Sequence, residues 1–391
     1  MRRLAATREP PAMEGGVAVG VMATAVGGAL GGSVLVTGGT GAVGSRLSKH
    51  LARAYPGLVI VAARHEARAR QIADRIGCGA RGIRVDVHDA RAVGPVLDGI
   101  RLVVNCVPLR EPYPLLRAAI ERGLAYTDVT PAPIWETALS LAPLAERTGA
   151  RVIVGAGLAP GASSVMARAL AERLGGLQTL DVTLLFHLGD EFGDASLEYL
   201  LEAAGRTLVG IRDGAPHAFR PFSESRRVDL GAPFGARRAH RAPFTDQLWF
   251  ARSLGVRSAA TWLALEPRWS GWALGLIAKI GLIGALDRAS RRAFAIRMLR
   301  AARRAAQIRG KDFALLVEAR GTAGGGRLAL SGSGEAEGTA AAASLVARAL
   351  YAEQPIEAGV WFPEQVISPA WFLPALAALG VAVRDAEGTL S

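Results

Sequence analysis

The stretch Val34-Leu35-Val36-Thr37-Gly38-Gly39-Thr40-Gly41-Ala42-Val43-Gly44-Ser45-Arg46-Leu47 reads as strand, glycine turn, helix. Val34 to Val36 is a short apolar run, as a fully buried parallel strand requires. Gly39-x-Gly41-x-x-Gly44 has the spacing of a dinucleotide-binding turn. The first glycine permits the tight turn, the second lets the backbone approach a pyrophosphate, and the third lets the helix pack closely on the strand. Arg46 to Tyr55 continues as a helix with Leu47 and Leu51 one turn apart. Its N-terminus presents N–H groups and the positive end of the helix dipole. Gly39, Thr40, Gly41, Ala42, Val43 and Gly44 are therefore candidate cofactor contacts. A purely structural turn, in a chain with 47 glycines, is the alternative.

Strands and helices alternate outward from this turn. A second strand, Leu58 to Ala63, ends in Ala63-Arg64-His65. An acid roughly 20 residues beyond the glycines would hold the ribose 2′-hydroxyl of NAD, whereas a nearby arginine meets the 2′-phosphate of NADP. The sequence has Arg64 there, with Arg68 and Arg70 behind it and Glu66 as the competing acid. NADP(H) is the expected cofactor, with NAD as the second choice. Arg68 and Arg70 also fit the solvated face of the next helix, Glu66 to Ile76. A third strand, Gly82 to Val87, would place Asp86 and Val87 beside an adenine, although Asp86 also fits a solvated strand end. The fourth strand, Leu102 to Pro108, contains Asn105-Cys106-Val107, a candidate segment beneath the nicotinamide ribose. Further elements are a helix from Tyr113 to Arg122, a strand from Ala125 to Val129, a helix from about Trp135, and a strand from Arg151 to Val154. This alternation means βαβ units and a parallel, Rossmann-type sheet. Gly155 to Ser164 is a strand-to-helix turn that serves either a ligand or a domain boundary.

Composition bounds the function classes. At 391 residues, two domains are the natural division. The formal net charge of +12 comes almost wholly from arginine, since Lys49, Lys279 and Lys311 are the only lysines. A basic surface suits an anionic cofactor or an anionic membrane. Nucleic acid fits poorly, because the arginines are dispersed and no recognition module appears. Cys78 and Cys106 have no metal-ligand spacing, so neither a disulfide framework nor a cysteine metal site is expected. A reducing cytoplasm is the simpler compartment. Residues 1–32 combine Arg2, Arg3 and Arg8 with an apolar glycine-rich stretch. They read as a disordered tail or a start assigned too early (Met13 and Met22 are alternatives), with a signal peptide as the other reading.

From about Leu177 the pattern changes. Thr179 to Phe186 alternates as a strand, Gly189 to Ser196 is an acidic loop, and Leu197 to Val209 reads as a helix. Phe219 to Pro243 reads as polar and irregular. Phe313 to Arg320 and Arg327 to Ser331 flank a glycine-rich turn and form a hairpin. The expected fold is thus α/β: a Rossmann domain over 33–155, an inserted α+β domain with an antiparallel or mixed sheet over 156–350, and a C-terminal segment over 351–391 returning to the first domain. Gly271 to Ala285 is apolar except for Lys279 and too short to span a membrane. A buried helix is expected, with a helix lying on a membrane surface as the alternative.

Several motifs together resemble the saccharopine dehydrogenase (saccharopine reductase-like) family. They are the Gly-Thr-Gly-Ala-Val-Gly turn, Ala63-Arg64, Asn105-Cys106-Val107, Tyr126-Thr127-Asp128, Gly155-Ala-Gly-Leu-Ala-Pro-Gly161, Gly338-Thr-Ala-Ala-Ala-Ala343 and Gly359-Val-Trp-Phe-Pro-Glu364. The resemblance implies NAD(P)-dependent oxidation or reduction at a C–N bond of an amino acid-derived substrate. The glycine turn alone also looks like an extended short-chain dehydrogenase. None of the five tyrosines has the lysine four residues on that this chemistry needs. Proton transfer has candidates in Tyr126, Asp128, His187, Asp190, Glu191 and Asp194, and substrate carboxylates in Arg206 and Arg226. Tyr126 and Asp128 are the catalytic candidates carried forward. A catalytically silent NADP-binding sensor or scaffold, and a membrane-surface oxidoreductase with a lipid-like substrate, are the alternative functions. The expected partner is a small molecule, with a homodimer as the expected assembly.

Overall fold

The computed structural model describes residues 31–109, 111–130, 134–190, 206–244, 246–279 and 310–385, with isolated residues between them. The first run of elements is β1 (Ser33–Thr37), α1 (Ala42–Ala54), β2 (Val59–Ala63), α2 (Glu66–Ile76), β3 (Arg81–Arg84), α3 (Ala90–Val96), β4 (Ile100–Asn105), α4 (Pro114–Glu121), β5 (Ala125–Asp128), α5 (Ile134–Ser140), α6 (Ala142–Thr148) and β6 (Arg151–Ile153). The second run is α7 (Ala162–Leu174), β7 (Thr179–His187), β8 (Leu208–Arg212), β9 (Ala215–Phe219), β10 (Ser225–Asp229), β11 (Ala236–Arg241), α8 (Asp246–Ser253), β12 (Ser258–Glu266), α9 (Arg268–Lys279), β13 (Asp312–Gly321) and β14 (Gly324–Ser333). The chain closes with α10 (Glu335–Arg348), a π-helical turn (Ala349–Glu353), β15 (Gly359–Trp361), α11 (Pro363–Val366), α12 (Pro369–Ala378) and β16 (Ala382–Asp385).

Val34, Leu35 and Val36 are wholly buried, as are Leu102, Val103 and Val104. Consecutive buried side chains point to both faces of a strand, so both faces must be covered by helices, which is the setting of a parallel sheet. The first sheet is parallel and runs β15-β6-β5-β4-β1-β2-β3. Strand order reverses between β1 and β4, and ligands of such sheets bind beyond the carboxyl ends at that switch point. β3 ends at Arg84, sooner than the apolar pattern implies, because the Asp86 carboxylate accepts from the His88 N–H at 3.0 Å and turns the chain.

The second sheet has nine strands in the order β10-β11-β12-β7-β13-β14-β16, with β8 pairing with β12 and β9. β7 and β12 are parallel, whereas β13 and β14 form a long hairpin closed by Thr322-Ala323. The stretch read as irregular, Phe219 to Pro243, holds the β10–β11 hairpin. Its arginines hide the alternation: Val228 and Ala239 point inward while Arg227 and Arg238 point out. Leu208 and Val209, read as the end of a helix, open β8, and the rest of that expected helix lies largely outside the described residues.

The two layers share a core. Trp249 of α8 meets Trp135 of α5 at 6.4 Å between ring centroids and Phe362 at 5.2 Å. The C-terminal part visits both sheets: β15 extends the first sheet beside β6, and β16 extends the second beside β14. α10 packs along α1, so the chain rejoins the first layer from Glu335 onward.

Candidate cofactor and active site

The glycine turn is built by three separate constraints. Gly38 has φ of +68°, and a Cβ there would lie 2.8 Å from Val107 Cγ2. A Cβ on Gly44 would lie 2.2 Å from the Gly38 carbonyl oxygen, and one on Gly39 would lie 2.6 Å from Val61 Cγ1. Those glycines are required by the protein's own packing. Gly41 is different: it is exposed, and its nearest neighbour for a Cβ is Gly38 O at 3.3 Å. Gly41 is also the N-cap of α1 and has no side chain to offer. The N–H groups of Ala42, Val43 and Gly44 therefore start the helix unpaired, which is an anion-binding end. The exposed backbone at Gly41 and three free donors fit a pyrophosphate.

β2 lies beside this turn, with the Gly39 N–H donating to Ala62 O at 3.2 Å. Arg64 follows β2, exposed and unpartnered among the described residues. Arg70 is tied to Glu66 one helical turn away, which removes both the nearest competing acid and the hindmost arginine. Asp86 is exposed and Val87 is buried, both in the loop after β3.

Asn105 is wholly buried and fully engaged. Its Oδ1 accepts from Thr37 Oγ1 at 2.7 Å and from the Val107 N–H at 3.2 Å, while its Nδ2 donates to Val107 O at 2.8 Å. It pins the ends of β1 and β4 together and shapes Cys106 and Val107 against Gly38. Its contribution to a ligand would pass through that backbone, since one Nδ2 N–H is held by Val107 O and the side chain also hydrogen-bonds Tyr126. Thr37 was not identifiable from the sequence alone, because only the β1–β4 register brings it opposite Asn105.

Asp128 is the register partner of Asn105 in the next strand. It is wholly buried. Tyr126 Oη donates to its Oδ2 at 3.2 Å, and Thr130 donates to its Oδ1 from the backbone N–H at 3.2 Å and from Oγ1 at 3.1 Å. Burial raises the Asp128 carboxyl to about 7, against the lowering effect of these donors. Burial, then the Asp128 charge, pushes the Cys106 thiol up to about 12. The Tyr126 phenol is driven well above its ordinary range by burial first and Asp128 second. At neutral pH this trio therefore holds two protonated groups, with Asp128 poised between its two states.

The Gly155–Gly161 turn borders Asp128, with the Ala156 N–H donating to Asp128 O at 2.8 Å. Gly161 has φ of +129°, and a Cβ there would lie 2.0 Å from Gly157 O. A Cβ on Gly157 would lie 3.6 Å from Thr339 Cγ2, which brings α10 to the same edge. Thr339 Oγ1 donates to Glu335 Oε1 at 2.8 Å, and the Glu335 N–H donates to Asp190 Oδ2 at 2.5 Å. Asp190 thus caps a helix across the two layers. His187 Nδ1 accepts from the Gly189 N–H at 3.0 Å. Glu191 and Asp194 lie outside the described residues. Arg226 is not a free carboxylate binder: it bridges Asp181 at 2.8 Å and Glu318 at 2.5 Å. Arg206 is exposed at the surface.

Residues 34–153 match the family model described as the saccharopine dehydrogenase NADP binding domain. Over those residues the chain is similar to a saccharopine dehydrogenase NADP-binding domain. A solved apo structure of saccharopine dehydrogenase (L-Glu forming) from Saccharomyces cerevisiae aligns with TM-score 0.63 at 14% identity, covering 91% of this chain and 99% of that one. Two others align less closely. GenD2 from gentamicin A biosynthesis has TM-score 0.36 at 19% identity over 77% of this chain and 74% of its own. A 3-ketoacyl-(acyl-carrier-protein) reductase from Brucella melitensis has TM-score 0.27 at 18% identity over 32% of this chain and 75% of its own. No curated protein matches the chain by sequence. The domain match places a dinucleotide-binding domain at residues 34–153, and the structural match shows a shared fold over most of the chain.

Proposed function

We propose that the chain is an NADP(H)-dependent oxidoreductase that moves a hydride at a C–N or C–O centre of an amino acid-derived substrate. The observation that carries the reading is Asp128: a buried carboxyl near pH 7, on the carboxyl edge of the sheet beside the β1/β4 switch point. When bound, the nicotinamide supplies or takes the hydride. The open backbone over Gly41 and the N–H groups of Ala42, Val43 and Gly44 would hold the pyrophosphate. Arg64 would meet the 2′-phosphate, with a bidentate geometry that favours NADP over NAD. Asp128 would give a proton to the substrate nitrogen or oxygen in reduction and take it back in oxidation. Tyr126 and Thr130 hold that carboxyl in place. Cys106, protonated, stays a neutral wall of the site. Reducing, intracellular conditions suit such a cofactor and the two free thiols.

The test is a turnover screen of imines formed from amino acids and aldehydes, followed by loss of NADPH absorbance, on the wild type and on Asp128→Asn. Wild-type turnover with loss in the variant, at unchanged NADPH affinity, supports the reading. Turnover by Asp128→Asn at the wild-type rate refutes the proton role.

A further inference from the structure

Helix α9 exposes a large apolar stripe. A surface helix ordinarily buries such a stripe and exposes its polar side. Among the described side chains of α9, small residues face the sheet: Ser270 and Gly271 are buried, and a Cβ on Gly275 would lie 2.5 Å from His240 Cε1. Three large apolar residues point outward. Trp269 is 51% exposed, Trp272 66% and Leu276 44%. Their spacing of three and four residues sets them in one stripe.

Cations surround this stripe. A Cβ on Gly275 would meet the His240 ring, so α9 lies on the face of β11 to which His240 and Arg238 both point. Arg238 is exposed on that strand and is directly opposite Arg227 of β10, which is also exposed. A like-charged pair directly across two strands is destabilising unless an anion lies over it. Arg227 has no partner among the described residues, and Arg238 donates only to Ser225 Oγ at 3.2 Å. Arg268, at the start of α9, is exposed as well. Asp229 is the acid on this face, and it accepts from the Gly231 N–H at 3.0 Å. The patch therefore combines half-exposed indoles, an aliphatic side chain and an uncompensated arginine pair.

We infer that α9 and the Arg227–Arg238 face of the β10–β11 hairpin form a docking surface for an anionic lipid bilayer. Tryptophan side chains settle at the level of lipid headgroups, apolar helix faces insert to the acyl boundary, and arginines pair with anionic headgroups. Among the described residues no helix is long and apolar enough to cross a membrane, so the attachment is by this face lying on the surface. Glu266, two residues before α9, accepts from the Leu188 N–H at 2.7 Å, on the strand end that leads to Asp190 and the N-terminus of α10.

The experiment is co-sedimentation of the full chain with phosphatidylcholine vesicles and with vesicles containing phosphatidylglycerol, at low and high salt. The wild type should pellet with the anionic vesicles and be released by salt. Trp269→Ser/Trp272→Ser should lower partitioning about tenfold or more, and Arg227→Glu/Arg238→Glu should abolish the preference for anionic vesicles. Both pairs are exposed, so NADPH binding and the thermal midpoint should be unchanged and serve as the folding control. Failure of the wild type to bind anionic vesicles overturns the inference. So does a wild-type dimer in light scattering that Trp269→Ser/Trp272→Ser converts to a monomer, because the stripe would then be an interface between two copies.

Discussion

Replacing Asp128 with Asn should flatten the pH dependence of stability. The Asp128 carboxyl is raised from 3.8 to about 7 by burial. Between those values the native state holds a proton that the unfolded chain has released. Stability therefore falls as pH rises through this window and levels off above about 7. Integrating the two titrations from about pH 5 to about pH 8, the wild type should lose about 2–3 kcal/mol through this one group. Asp246 is also buried and raised, to about 6, and it should contribute about 1 kcal/mol over the same range in wild type and variant alike. Asn keeps the volume and one oxygen acceptor for Tyr126 or Thr130, so the fold should survive. Urea unfolding at the two pH values, with equal slopes in denaturant, measures the difference directly. The wild type should lose about 2–3 kcal/mol more than the variant. Equal losses would show that Asp128 is ionised in the native state throughout, and its role as a proton-handling group at neutral pH would go with it.

The remaining predictions separate packing from binding. Gly44→Ala should break the turn, because its Cβ meets Gly38 O at 2.2 Å, and both stability and dinucleotide binding should drop. Gly41→Ala should lower the thermal midpoint far less than Gly44→Ala and still weaken NADPH binding, since its Cβ meets a single neighbour, Gly38 O at 3.3 Å; calorimetry and titration on the pair distinguish the two roles. Trp249→Ala should cost about 3–5 kcal/mol in urea unfolding, because the ring packs against Trp135 and Phe362 at the junction of the two layers. In the folded protein Cys78, which is exposed, should react with a disulfide reagent near neutral pH. Cys106, pushed up to about 12, should react only after unfolding.

Local sequence patterns carried the first half of the fold. Val34–Val36 and Leu102–Val104 are buried on both faces, and a run of apolar residues records that condition without any tertiary knowledge. The glycine turn was equally legible, because Gly39 and Gly44 are forced by neighbours close in sequence or in the next strand. The second sheet was harder. Its β10–β11 hairpin alternates arginine with Val228 and Ala239, and in an arginine-rich chain such alternation reads as polar loop. The exposed stripe of α9 was hidden for a related reason: the apolar run around Gly271 reads as buried, and only the position of His240 beneath Gly275 shows that Trp272 and Leu276 point out. Site residues that depend on register were not legible at all. Thr37 meets Asn105, and Asp190 caps α10, only because strands and layers distant in sequence are brought side by side. Tyr126 and Asp128 were visible as a strand-end pair, but their protonation follows from burial, which a sequence does not show.

Fluorescence titration of NADPH and NADH, on the wild type and on Arg64→Ala, tests the central claim most directly. Arg64 is exposed, unpartnered among the described residues, and placed after β2 beside the glycine turn. A lost charge-assisted hydrogen bond is worth about 1.5–3 kcal/mol, or about ten- to a hundredfold in affinity. The wild type should bind NADPH more tightly than NADH, and the variant should lose about that factor for NADPH while keeping its affinity for NADH. Binding of neither nucleotide, or equal loss for both, would contradict the account.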